Sequence, residues 1–449
     1  MTLAALSATD AAAQIRAGQI SSVDLTKACL ARIEETDAQI GAWAFLDAEH
    51  ALRQAEAMDD LRRRGRPVGA LHGVPVGIKD IFDTADMPTA LGSPAHEGRQ
   101  PQADAAAVER LREAGAVILG KTVTTPLAFA SPSTTRNPHS SEYSPGGSSS
   151  GSAAGVAAGH MPIAIGSQTG GSVNRPASYC GVYGFKPSRG QISRRGALQT
   201  SETLDCVGGF ARSLEGLALL TDTLTGYDAA DAASHLRPKP QTLDGYRSEA
   251  PVEPVFAYLD NPSFALTEAM QGAMEELCDS LGAQVERLPA PANFADILAH
   301  QHTIHTYEFA RNLDGNPAIA PEHTDDIMKD LVAQGRAVTD EQYRTAHEMV
   351  TATESFYAAF FNDYDAILCP SSLGEAPLLS EGTTGDAVCQ KVWTLAGLPT
   401  LTLPLFEGDA GLPMGLQLVG AQEEDDRLFR TARWLETHLS PPMTDSAET

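Results

Sequence analysis

The sequence predicts an α/β fold, and three observations predict it. Short apolar runs with strand character, residues 74–79 (VPVGIK), 116–121 (AVILGK) and 161–166 (MPIAIG), alternate with helical segments in the first half. Residues 264–361 then carry helical periodicity almost throughout. Finally the chain returns to strand-like runs at 365–370 (DAILCP), 400–405 (TLTLPL) and 414–420 (MGLQLVG), with a helix at about 424–437. The 449 residues suffice for one large α/β domain or for two to three smaller ones.

Taken in order, residues 7–65 read as helices. Ser7 is placed to cap one, and Ser21 with Asp24 starts another before LTKACLARIEE, where Leu25, Cys29, Leu30 and Ile33 share a face. Residues 47–65 form a further amphipathic helix. In residues 71–84, Val74, Val76 and Ile78 alternate as in a strand that ends at Lys79-Asp80. A lysine there either snorkels to the sheet edge or is buried for a reason. Residues 103–114 form a helix and 116–121 the next strand.

Two short motifs in this region do not fit their surroundings. Residues 115–122 match G-x-x-x-x-G-K-[ST], but Ala-Val-Ile-Leu between the glycines is a buried strand, not a phosphate-cradling loop. Residues 147–151 match G-x-S-x-G, but Tyr143-Ser144-Pro145 precede them where a hydrolase elbow needs a hydrophobic strand.

Residues 131–147 form an irregular, Pro-rich connection, and residues 150–159 a helix of small residues that can pack close to neighbouring backbone. After the strand at 161–166 comes SQTGGS, then a helix at 213–226 and a polar linker at 228–251. A strand (VFAYL) and helices at 264–281, 292–312, 322–335 and 339–361 follow. His300, His302, His305 and Glu308 lie in the second of these, without any specific metal-ligand spacing, so they read as helix or pocket-lining residues and no metal is assigned. A helix near 386–396 precedes the closing strands. The tail at 441–449 is expected to be disordered.

Composition excludes several function classes. A formal charge of −26 opposes a phosphate-backbone partner, which needs clustered Lys and Arg, and reads instead as a soluble surface. There is no run of about 18 apolar residues for a membrane span and no basic-then-apolar leader, which favours the cytoplasm. Six dispersed cysteines without C-x-x-C read as reduced core thiols.

Two Gly/Ser clusters carry the chemistry: residues 146–151 (GGSSSG) and 170–172 (GGS). Glycine lets backbone approach a ligand, and a serine oxygen becomes a nucleophile once a base activates it. Lys79, Ser148 and Ser172 are the pieces of a serine–lysine arrangement, in which lysine acts as a base only if burial lowers its pKa.

These segments resemble the amidase signature family. The resemblance is carried by PGGSSSGSAAGVAAG, GSQTGGSVNRPASYCGVYGFKPS, HGVPVGIKD, DAAAVERLREAGAVILGKT and AGLPTLTLPL…GLPMGLQLVG, and it runs from about residue 7 to 437. It implies one domain at 1–440: a large mixed β-sheet core from 65–215 and 362–440, surrounded by helices, with a helical cover at about 225–361. It also implies a Ser-cisSer-Lys triad, with Ser172 as nucleophile, Ser148 as the bridging serine after a cis peptide bond, and Lys79 as general base. Backbone N–H groups of Thr169, Gly170, Gly171 and Ser172 match the oxyanion hole, while Gly147, Ser149, Gln168 and Arg175 support the site. No cofactor is implied. Gln168 stands where many members have Asp, Pro126 where Glu is common and Gly209 where Pro is common, and Asn174 is unusual. The implied activity is hydrolysis of a small-molecule amide, or of a carbamate as in a urethanase, by a monomer or homodimer with no nucleic-acid or membrane partner. The alternatives are a glutaminase resembling the A-type component of an aminoacyl-tRNA amidotransferase, and an inactive scaffold member.

Overall fold

The computed structural model describes residues 2–66, 68–320 and 322–439. The strands, in chain order, are β1 (Trp43–Leu46), β2 (Pro75–Lys79), β3 (Val117–Thr122), β4 (Ile163–Gln168), β5 (Tyr183–Lys186), β6 (Cys206–Ala211), β7 (Phe256–Asp260), β8 (Val285–Pro289), β9 (Ala366–Pro370), β10 (Thr400–Glu407) and β11 (Pro413–Val419). Among the described residues they form one sheet in the order β1-β3-β2-β4-β6-β5-β10-β11-β9-β7-β8. It is mixed: β2 runs parallel to β3 and β4, β7 parallel to β8 and β9, and the other pairs are antiparallel.

Helices cover the sheet: α1 (Ala8–Ala17), α2 (Ser22–Ile40), α3 (Ala48–Arg63), α4 (Ala106–Glu113), α5 (Ser150–Ala157), α6 (Asn174–Cys180), α7 (Leu214–Leu224), α8 (Thr242–Arg247), α9 (Glu268–Leu281), α10 (Phe294–Asn312), α11 (Asp326–Ala337), α12 (Asp340–Phe360), α13 (Val388–Leu395) and α14 (Asp425–Leu439). Ser7 and Ser21 cap α1 and α2, accepting from Asp10 N and Asp24 N. Among the described residues, no helix is long and apolar enough to cross a membrane. All six cysteines are free and buried.

What positions the site is the parallel trio β3-β2-β4. A strand flanked by parallel neighbours is covered on both faces and reads as a continuous apolar run. Every residue of β2 is accordingly buried, Lys79 included. Because the three strands point the same way, Lys79, the connection leaving β3 and the turn leaving β4 all emerge at one sheet edge, the carboxyl edge where α/β sheets bind ligands. Helix α5 returns across this edge in close contact. Ser152 Oγ donates to Ile165 O at 2.9 Å, and Gly151 N donates to Val123 O at 2.9 Å. A side chain at Gly151 would collide with Ala42 O and Val123 N, so only glycine allows this approach. A second apolar cluster ties α10, α12 and α13 to β7 and β9 around Tyr357 and Trp393, whose rings lie 5.3 Å apart. It brings α10 and α13 over the same edge.

Several elements differ from the sequence expectation. Local sequence marks none of β1, β5, β6 and β8: β6 (CVGGFA) carries two glycines, and β8 is an edge strand with exposed Glu286 and Arg287. Both are held by cross-strand pairing, which overrides local propensity. The polar linker at 228–251 contains α8. Its cap is non-local, since Thr242 N and Leu243 N donate to the Asp222 carboxylate on α7, at 2.7 and 3.1 Å. Segment 225–361 supplies α8–α12 and also the strands β7 and β8. The tail at 441–449 lies outside the described residues.

Candidate active site

Lys79 ends β2 with none of its surface exposed. Its Nζ donates to Ser148 Oγ at 2.7 Å and to Ser167 Oγ at 2.8 Å. Desolvation pulls its pKa from 10.5 to about 7, partly opposed by the charge of Asp205. The amine is therefore neutral in a large share of molecules near neutral pH, the state a base requires.

Ser148 is held by its own loop. Gly146 has φ 82°, and the Gly147–Ser148 peptide is cis. Ser150 Oγ donates to Gly146 O at 2.8 Å, and Thr125 N donates to Ser148 O at 3.1 Å. Buried Arg175, from α6, donates through Nη2 to Gly147 O at 2.7 Å and to Thr384 Oγ1 at 3.1 Å. It thereby links the two Gly/Ser clusters. Ser149 Oγ exchanges bonds with the Ser167 backbone, accepting from N and donating to O, both at 3.3 Å.

The second cluster is the turn between β4 and α6. Gln168 Oε1 accepts from Val173 N at 2.9 Å and Asn174 N at 3.1 Å, while its Nε2 donates to Thr394 Oγ1 at 3.1 Å. This side chain closes the turn that presents Ser172. The turn's carbonyls are engaged: Thr169 O accepts from Gln301 Nε2 at 3.5 Å, Gly170 O from Thr394 Oγ1 at 3.0 Å and Gly171 O from Arg175 N at 3.0 Å. In a planar trans peptide the N–H points opposite to the carbonyl. Among the described residues the N–H groups of Thr169, Gly170, Gly171 and Ser172 donate to no protein acceptor, so they are available to an oxygen in the cavity. Asn174, the unusual residue, pins α6 to β10 through Thr400 and Thr402.

A cavity of about 380 Å³ opens on this turn, lined by Thr169, Gly170, Gly171, Ser172 and Arg175. Its other walls come from Ala128–Ala130, from His302 and His305 on α10, from Leu331 on α11, and from residues 383–387 with Lys391. Leu127 and Ala128 adopt left-handed φ of 50° and 58°, rare for non-glycine residues, and this local strain sets the wall at 128–130. Lys79, Ser148 and Ser167 lie behind the Ser172 turn rather than on the cavity wall. The structure thus joins Lys79 to Ser148, whereas among the described residues Ser148 Oγ and Ser172 Oγ share no hydrogen bond. Such links often tighten only when substrate is bound.

His302 and His305 reach the cavity, but the rest of the histidine motif disperses. Glu308 faces away and is enclosed by Ser201, Thr203 and Tyr343. Among the described residues no group of three His, Cys, Asp or Glu is placed to hold a metal. Two site residues escaped sequence reasoning. Ser167, the second partner of Lys79, opens the SQTGGS segment after the 161–166 strand and carries no mark of its own there. Asp205 accepts from Thr169 Oγ1 at 2.5 Å and from Thr200 N and Ser201 N at 2.7 and 2.9 Å. Thr200 and Ser201 hold Asp205 locally, but only the fold brings it to Thr169 and Lys79, so nothing in the sequence marks its place in the site.

Comparison with known proteins finds relatives along nearly the whole chain. A family model described as Amidase matches residues 24–429. The chain is 35% identical to the A-type component of the glutamyl-tRNA(Gln) amidotransferase of Anaeromyxobacter sp. (strain K), covering 96% of each. It superposes on the peptide amidase from Stenotrophomonas maltophilia with TM-score 0.84 at 30% identity, covering 96% of each chain. On a 6-aminohexanoate cyclic dimer hydrolase complexed with substrate it superposes with TM-score 0.87 at 25% identity, covering 98% of each.

Proposed function

The chain belongs to the amidase signature family of enzymes acting on C–N bonds, and from that premise we propose that it hydrolyses a small amide or carbamate through a serine acyl-enzyme. The observation that carries this reading is the fully buried Lys79, its pKa near 7, bonded to Ser148 behind the turn that presents Ser172. Neutral Lys79 takes a proton from Ser148 Oγ as Ser148 takes one from Ser172 Oγ. Ser172 attacks the carbonyl carbon, and the oxyanion accepts hydrogen bonds from the turn's N–H groups, where one such donor contributes on the order of 3 kcal/mol. Collapse expels the amine, which takes its proton back through Ser148. Water then attacks the acyl-enzyme by the same relay and restores Ser172. Neither a metal nor a cofactor enters these steps. The enzyme works in the cytoplasm as a monomer or homodimer, with no nucleic-acid or membrane partner.

The test is a panel of anilides, aliphatic amides, carbamates and glutamine offered to the isolated protein. Turnover is expected, together with labelling by a fluorophosphonate that Ser172→Ala abolishes. An unlabelled wild-type protein that turns over nothing would instead indicate an inactive scaffold. The relatives named as components of glutamyl-tRNA(Gln) amidotransferases favour a second reading, a glutaminase that works only within a complex. Labelling of Ser172 with turnover of glutamine only after partner proteins are added would select it.

A further inference from the structure

The cavity beside Ser172 contains a charge that the proposed chemistry does not use. Among the described residues four lining groups can be cationic: Arg175, His302, His305 and Lys391. Arg175 spends Nη2 on Gly147 O and Thr384, which hold its guanidinium against the first Gly/Ser loop. His302 is exposed, and its Nε2 bonds Gln334 Oε1 at 2.9 Å. His305 packs on the Phe129 ring, centroids 4.6 Å apart, and burial with the nearby Lys391 and His302 pushes its pKa down to about 3, so it is neutral. That leaves Lys391 on α13, half-buried, whose Nζ makes no hydrogen bond or ion pair among the described residues. Burial lowers the Lys391 pKa, opposed by the charge of Asp386, which lines the same cavity but is exposed and spends Oδ1 on Val388 N at 2.9 Å. A half-buried ammonium without an acceptor is costly. Of the rest of the wall, Ala128, Phe129, Ala130, Leu331 and Ala387 are apolar, Thr383 and Thr384 accept from Gly385 N and Arg175, and among the described residues Asp386 makes no ion pair with the ammonium.

We infer that Lys391 anchors an anionic group of the substrate, so that the preferred amides carry a carboxylate on the part of the molecule that fills this cavity. This rests on the serine-amidase reading and narrows its substrate class. The scissile carbonyl sits at the N–H groups of the Ser172 turn. The apolar wall then takes a short hydrocarbon spacer, and the carboxylate meets the ammonium at the far side. One charge-assisted hydrogen bond in such a site discriminates by roughly ten- to a hundredfold.

The test compares ω-carboxy amides, succinamate to adipamate, with methyl-terminated amides of equal length, reading ammonia release. Wild-type protein is expected to favour the carboxylate series at least tenfold in kcat/KM. Lys391→Met is expected to raise KM for that series ten- to a hundredfold, with kcat within threefold and the methyl series little changed, while Lys391→Arg retains most of the preference. Equal effects of Lys391→Met on both series, or a wild-type preference for the methyl series, would overturn the inference. Calorimetry with glutarate on Ser172→Ala tests the anchor without turnover. Binding that an added Lys391→Met weakens at least tenfold supports it, and binding unchanged or undetectable in both refutes it. Intact binding in a protein that hydrolyses no amide would refute the hydrolase reading and leave the anchor standing.

Discussion

Replacing Lys79 by Met separates its catalytic role from its energetic cost. Methionine keeps the length and apolar stem of the side chain and removes only the amine. In the folded protein the amine's pKa is about 7, against 10.5 for an exposed lysine. For a base displaced downward, the folded state holds fewer protons than the unfolded state between these two values. Stability therefore is fully present above 10.5, falls as pH drops through that window, and is level below about 7. At about 1.36 kcal/mol per pH unit the whole window amounts to about 5 kcal/mol. Lys79→Met removes this cost and also two hydrogen bonds, to Ser148 and Ser167, each contributing roughly 1 kcal/mol. The variant should be more stable than wild type at pH 6 by roughly 2–3 kcal/mol, and the gain should shrink by about the same amount at pH 9. Its kcat/KM should fall by about 10²–10⁴ with the loss of the base. Wild-type kcat/KM should rise with pH through about 7 as the amine loses its proton. The assay is denaturant unfolding at pH 6 and 9, followed by two spectroscopic probes, beside amide hydrolysis from pH 5 to 9. A stability difference equal at both pH values, or a variant retaining more than a tenth of wild-type kcat/KM, would refute the reasoning.

Three further outcomes follow from the same geometry. Gly171→Ala would bring a Cβ to 2.5 Å from Gln390 Oε1 and 2.9 Å from Ala387. The turn must shift, and kcat should drop about 10²-fold by loss of an oxyanion donor, with KM read separately in initial-rate kinetics. Asp205→Asn removes the negative charge that holds the Lys79 pKa up, so the rising limb of the pH–rate profile should move to lower pH. It also disturbs Thr169, and kcat should fall by about tenfold. Arg175→Met leaves Gly147 O without its 2.7 Å donor. Activity should fall by about ten- to a hundredfold, while thermal unfolding moves little because a desolvated guanidinium is itself costly.

How much was legible depended on whether a signal was local. Lys79 was marked because a charge ended an apolar strand, and Ser148 and Ser172 because glycine and serine recur around them in long, specific runs. The capping serines at 7 and 21 were equally readable, since a cap and its N–H partner are three residues apart. Strand β6 and helix α8 were not, because a glycine-rich strand and a helix capped by Asp222 depend on partners distant in sequence.

By itself the sequence determined the residue types of the site and the alternation of strands and helices, which arise from periodicity and side-chain chemistry along the chain. Only the tertiary structure decided how they meet. The parallel register of β3, β2 and β4 carries Lys79 and two separate turns to one sheet edge. The burial there, which no sequence window contains, lowers the lysine pKa. The same packing set Ser167 beside Lys79 and Asp205 beside Thr169, and brought Lys391 to the cavity wall. Desolvation and long-range pairing are properties of the assembled layers, so these features exist only once the chain has folded.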